Sequence, residues 1–295
     1  MKQAFLILLI AMVCIGCESS IPSGNTTTKG IGVFSVSETK KVTFSPSNLY
    51  YDRETSSWNF FQEQWNALTI TNLNSPVGIN GRWFSTLADV AYPESIDTQV
   101  QLGKKIDLFG WSGSNSAVLY GVNASPNYKD YMGDFMDWGN NQIGKDAPNT
   151  WRTLSKEEFE YLIDGRPNAA QLKGVAAVNG VNGLILLPDE WECPAGVSFK
   201  SGFASSGGEQ YFAKYQSYTA SEWQKMERAG AAFLPAAGYK NGVPLLFVGS
   251  FGCYWTRSLN ISNPESACFV YIYSDSIVWD YYDRYRGLSV RPVYQ

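Results

Sequence analysis

Apolar and polar positions change period several times along the chain. Gly32 to Ser37 and Val42 to Ser45 are β-branched and aromatic, which predicts two strands. The aromatic pairs in 48–51 and 58–61 flank a turn-like stretch from Asp52 to Ser57 and predict a hairpin. Residues 66–150 are rich in Gly, Asn, Ser and Asp and weakly periodic, as expected of long ordered loops packed by Trp83, Trp111 and Trp138. Two helices announce themselves. Ser155 with Glu158 three places on forms a capping box ahead of the stripe Phe159, Leu162 and Ile163, and Gly165 and Pro167 end that helix. Thr219 with Glu222 repeats the box before Trp223 and Met226, with Gly230 as the stop. The remaining pattern is β: 183–187, 233–239 joined through Asn241-Gly242 to 245–249, then 252–256, 268–273, 277–282 and 288–293. An α+β domain follows, with two short helices against a mostly antiparallel, long-looped sheet.

The first residues have a different character. Met1 to Gln3 is a short positive start, and Ala4 to Val13 is an uninterrupted apolar run of ten residues, too short to span a bilayer and suited to a signal-peptide core. Gly16-Cys17 resembles a bacterial lipobox, which implies lipidation of Cys17 and a membrane attachment in the cell envelope, at the outer membrane or cell surface. Residues 18–30 lack aromatics and are rich in Ser, Thr and Gly, as a flexible tether would be. Tryptophans then recur from Trp58 to Trp279 without a linker-like stretch, so 31–295 reads as one domain.

Composition removes several functions. Charged residues make up 17% and hydrophobic residues 44%, the opposite of a disordered chain. Lys plus Arg at 23 against Asp plus Glu at 27 leaves a net charge of -4 and no footprint for nucleic acid. The chain has no histidine, so Ser/His/Asp and Cys/His catalysis and histidine-ligated zinc are out of reach.

Particular segments carry a family resemblance. Trp151 to Tyr161 (WRTLSKEEFEY) is similar to a segment of formylglycine-generating-enzyme-like domains, whose fold is C-type-lectin-like. The tail, from Gly252 to Thr256, Ala267 to Tyr273 and Arg284 to Val293, looks like the "major paralogous" domains of Bacteroidota lipoproteins. So do Phe34 to Ser37, Lys41 to Leu49, Ile106 to Trp111 and Leu186 to Trp191. The resemblance implies a C-type-lectin-like fold. Some relatives are variable proteins of diversity-generating retroelements, which display mutable side chains from their last strands. The catalytic pattern of the enzymes is absent, because Cys253 and Cys268 stand fifteen positions apart rather than close together. Those two cysteines read as buried small hydrophobes or, alternatively, as a cross-strand disulfide.

Metal chemistry has little support. Asn263-Pro264-Glu265 and Trp279-Asp280 depart from the calcium motifs of sugar-binding C-type lectins, and Asp134 with Asp137, or Asp189 with Glu190, read as ordinary loop carboxylates. No metal or cofactor is expected. What remains is a C-terminal surface of tyrosine, tryptophan, arginine and short polar residues, the make-up of a paratope or a carbohydrate platform. Arg257, Asn260, Tyr281, Tyr282, Asp283, Tyr285 and Arg286 are expected to be displayed as ligand-binding residues, whereas Trp255, Phe269 and Arg284 are expected to pack. The leading reading is a non-catalytic, lipid-anchored protein binding a protein or carbohydrate ligand. The alternatives are a structural or adhesive surface component and, least favoured, an enzyme.

Overall fold

The computed structural model describes residues 30–68, 105–115, 119–122, 127–241 and 245–295. The signal-like segment with Cys17, the tether up to residue 29, Trp83 and Gly242 lie outside the described residues. In chain order the strands are β1 Ile31–Ser35, β2 Lys41–Phe44, β3 Leu49–Asp52, β4 Ser57–Phe60, β5 Lys105–Ile106, β6 Lys173–Val178, β7 Val181–Leu186 and β8 Ser217–Tyr218. They continue as β9 Ala232–Pro235, β10 Tyr239–Lys240, β11 Leu245–Leu246, β12 Gly252–Leu259, β13 Ser266–Ile272, β14 Ile277–Asp283 and β15 Val293–Tyr294. The helices are α1 Lys156–Glu160, α2 Glu209–Tyr215 and α3 Ala220–Arg228. The class is α+β, and every named strand pair except β6 with β8 is antiparallel.

Two sheets carry the architecture because each has a core on both of its faces. In the sheet ordered β8-β6-β7-β9, Val175, Leu184, Leu186 and Leu234 face one way, into a core that also takes Phe34 and Phe44 of the β1-β2-β15 sheet and Phe159, Leu162 and Ile163 from around α1. Alternate residues Ala176, Val178, Ile185 and Phe233 face the other way and meet Trp223 and Met226 of α3. The sheet ordered β12-β13-β14 repeats the device: Tyr254, Val270 and Ile272 close the first core, while Trp255, Phe269 and Tyr271 face a third one. That third core is built largely from loops, with Trp58, Phe109, Trp111, Trp138 and Trp151 supplying the bulk. Here the expectation of tryptophan-packed loops holds for Trp111 and Trp138, which are fully buried.

Both capping boxes form. The Ser155 hydroxyl accepts the Glu158 amide while the Glu158 carboxylate accepts the Ser155 amide, and Thr219 and Glu222 do the same for α3. After α1 the chain widens into a π turn over 161–165, with the Arg166 amide donating to the Tyr161 carbonyl at 2.8 Å.

Three corrections follow. Among the described residues there is a third helix, α2, which enters through Gly208 at φ 136° with no side-chain cap, so it carries no start signal. A buried strand, β6, precedes β7, and the hairpin between them turns at Asn179 (φ 49°) and Gly180 (φ 79°), the left-handed pair that a tight turn between twisted strands demands. Residues 288–293 are not one strand. Gly287 bridges Lys240, Leu288 bridges Phe109, Ser289 bridges Tyr254, and only Val293–Tyr294 joins β2, so this segment laces four elements together.

Candidate functional site

The β12-β13-β14 sheet places the predicted surface. Cross-strand partners share a face, so Cys268 lies with Tyr281, and Val270 with Trp279, on the α1 side. Ala267 lies with Tyr282, and Phe269 with Asp280, on the tryptophan-loop side. β13 is buried along its whole length. β14 is the edge strand, and it exposes Val278 (44%) and Tyr281 (43%) from its two faces. The Tyr281 amide donates to the Asp280 carboxylate at 2.7 Å, and the next even position, Arg284, donates inward to the Glu265 carbonyl at 2.9 Å. Odd-numbered amides of β14 therefore point outward, and an acidic side chain covers the one at Tyr281.

The seven predicted residues do not form one patch. Tyr281 projects on the α1 side, near Lys156, whose ammonium pairs with Glu160. Arg257 is exposed; its amide donates to the Leu154 carbonyl at 2.9 Å, and its charge reaches Asp137 and Glu158 at the entry to α1. Asn260 is spent on the β12–β13 turn, where its Nδ2 donates to Ser266 Oγ at 3.0 Å and its Oδ1 accepts the Ser262 amide at 3.0 Å. Tyr282 departs from the expectation of display. Its ring stacks on Phe269 at 4.2 Å, lies 5.3 Å from Tyr239, and is covered by the Arg286 guanidinium at 4.1 Å. Arg286 pairs with Asp283 at 3.7 Å, and Tyr285 is half-buried beside it. Trp255, Phe269 and Arg284 pack, as expected.

Arg284 is the anchor beneath this region. Its guanidinium donates to the carbonyls of Trp111 (3.2 Å), Pro264 (3.1 Å) and Gly133 (2.9 Å) and lies 4.4 Å from the Trp111 ring centre. Burial lowers its pKa to about 10. Rows of aromatics that the tail alone does not disclose complete the tryptophan-loop face: Tyr271 and Tyr273 stack at 4.4 Å, and Phe251 meets both edge-on. Burial pushes the Tyr271 and Tyr282 phenols well above their ordinary range.

The thiols are on opposite faces of the sheet. Cys253 pairs with Tyr271 and sits in the tryptophan core, whereas Cys268 pairs with Tyr281 on the α1 side, which rules out a disulfide between them; both are free. Burial raises Cys253 well above the usual thiol value and Cys268 to about 11, so neither is a thiolate at neutral pH. Two of the four carboxylates weighed as ion ligands, Asp137 and Asp189, have protein partners. Asp137 accepts the Gly139 and Thr153 amides and the Thr153 hydroxyl, and Asp189 accepts from Ser35 and Arg166. Among the described residues no three Cys, Asp or Glu side chains gather as cation ligands. Comparison of the chain with protein-family models, curated proteins and solved structures gives no match.

Proposed function

We propose that this is a non-catalytic, lipid-anchored protein of the cell envelope, with a C-type-lectin-like fold, that captures a protein partner on β14 and the neighbouring β12–β13 turn. One observation carries the reading: β14 is an edge strand beside fully buried β13 and exposes Val278 and Tyr281 from its two faces, while the β12–β13 turn exposes Ile261 at 97%. Exposed large apolar side chains, with the exposed Asp275 and Asp280 on the same strand and its leading turn, are of the kinds a protein interface uses as anchors and rim. Because Asp280 covers the outward amide of Tyr281, recognition runs through side chains rather than through strand addition. The anchor rests on Gly16-Cys17 and its resemblance to a lipobox.

Two measurements test it. Cys17→Ser should move the protein out of the membrane fraction; unchanged retention removes the lipoprotein claim. A photo-crosslinking residue at Val278 in intact cells should give an adduct of one defined mass with a different protein, lost in the Tyr281→Ala background. Adducts only with a second copy of the chain would favour the structural, self-associating alternative, and no adduct would refute the surface.

A further inference from the structure

A different region of the molecule has the form of a small-ligand site. The β3–β4 hairpin and the loops at 119–122 and 138–144 enclose an open groove of about 720 Å³, within the usual size range of ligand pockets. Its walls are tied together: the Gly144 amide donates to the Trp58 carbonyl at 2.8 Å, and the Trp138 indole donates to the Tyr120 carbonyl at 2.9 Å. Trp58, only 7% exposed, backs the groove and packs against Tyr51 at 4.8 Å and Tyr120 at 5.8 Å, holding those half-buried rings in place.

The polar chemistry of this groove is carried by amides and hydroxyls. Among the described residues no Asp, Glu, Lys or Arg lines it. Three amides do, and each gives one N–H to the protein: Asn59 to Ser57 Oγ at 2.9 Å, Asn141 to the Trp138 carbonyl at 3.0 Å, and Gln142 to the Gly144 carbonyl at 3.2 Å. Those bonds fix the amide planes, while the three carbonyl oxygens and the second N–H of each amide have no partner among the described residues and are left to a ligand. The matching ligand is uncharged, rich in hydroxyls, which both donate and accept, and apolar on the faces that meet tyrosine rings. We propose that this groove binds a neutral oligosaccharide, with Asn59, Asn141 and Gln142 accepting from sugar hydroxyls and Tyr51 and Tyr120 packing against the C–H faces of the pyranose rings. Among the described residues no charged side chain lines the walls, and the Arg53 guanidinium at their margin donates to the Val122 carbonyl at 2.8 Å, which disfavours nucleotides, phosphate headgroups and acidic sugars because each brings an anion. With no carboxylate pair among the described lining residues, the sugar is held and released unchanged.

The test uses the full chain and a panel of neutral trisaccharides of glucose, galactose, mannose, xylose and N-acetylglucosamine, with the galacturonic acid trimer as the charged probe. Calorimetric titration should find at least one neutral trisaccharide that binds. Gln142→Ala and Asn59→Ala should each weaken it about tenfold, the loss of one well-placed hydrogen bond, without changing the melting temperature. Tyr281→Ala should leave sugar binding unchanged, which separates this groove from β14. Failure of every neutral trisaccharide to bind would overturn the proposal, as would equal or tighter binding of the charged trimer, insensitivity to both amide variants, or shortening of the sugar on incubation.

Discussion

Two buried ionisable side chains do opposite work. Among the described residues Arg284 is a cation without a carboxylate partner, and its value lies in joining three loops through three carbonyls. Replacing it by methionine should cost about 3 kcal/mol or more in urea unfolding, because buried carbonyls lose their donors. Arg284→Lys should restore little, since only the planar fork reaches all three. Asp107 is a carboxyl whose pKa burial raises to about 6, with the Leu68 amide at 2.7 Å and the Lys240 charge pulling the other way. Its folded pKa exceeds its unfolded one, so the folded state holds the proton more tightly, and this group's contribution falls as pH rises from about 4 through 6. Relative to Asp107→Asn, the natural protein should therefore gain on the order of 2 kcal/mol of stability between pH 7 and pH 4. An unchanged difference between the two proteins across that range would show that Asp107 titrates normally. Glu158 behaves in the reverse sense. Burial opposes its charge, yet the Arg152 guanidinium at 2.7 Å and the Ser155 amide hold its carboxyl below the usual range.

Within β14, adjacent residues have different fates. Tyr281→Ala should change stability by no more than about 0.5 kcal/mol, as at other exposed positions. Tyr282→Ala removes a ring held between Phe269 and Arg286 and should cost about 3 kcal/mol. Equal costs at the two positions, measured by denaturant unfolding, would refute the register on which the candidate surface rests. That register is also why the local sequence could not sort the tyrosines. Which of two neighbours faces water depends on how β13 pairs with β14, and β13, buried on both sides, shows no alternation of its own. Helices α1 and α3 were legible because a capping box is a local device, written within four residues. Helix α2 starts at a glycine with no side-chain cap and left no such mark. The β6–β7 hairpin does leave one, Asn179-Gly180 between two apolar runs. The groove draws on three segments far apart in the chain, so its amides came together only with the loop core.

At the scale of the whole molecule, two sheets each serve two cores, and the 287–294 segment bridges several elements. No core can open without stripping one face of a sheet that another core needs. Residues 31–295 should accordingly unfold in one cooperative step, with calorimetric and van't Hoff enthalpies equal. Two resolved transitions would show that the tryptophan-loop core is an independent unit. The position of β13 between two cores has a further consequence, for how this protein can vary. Seven consecutive residues there are buried, none more than 7% exposed, while the strand beside it turns Val278, Asp280 and Tyr281 to water. A stretch that resists substitution and one that tolerates it thus lie one row of hydrogen bonds apart. In a saturation library, polar replacements should be rejected at nearly every position of β13 and accepted at those three positions of β14, so lineages can diverge at the surface over a stationary scaffold.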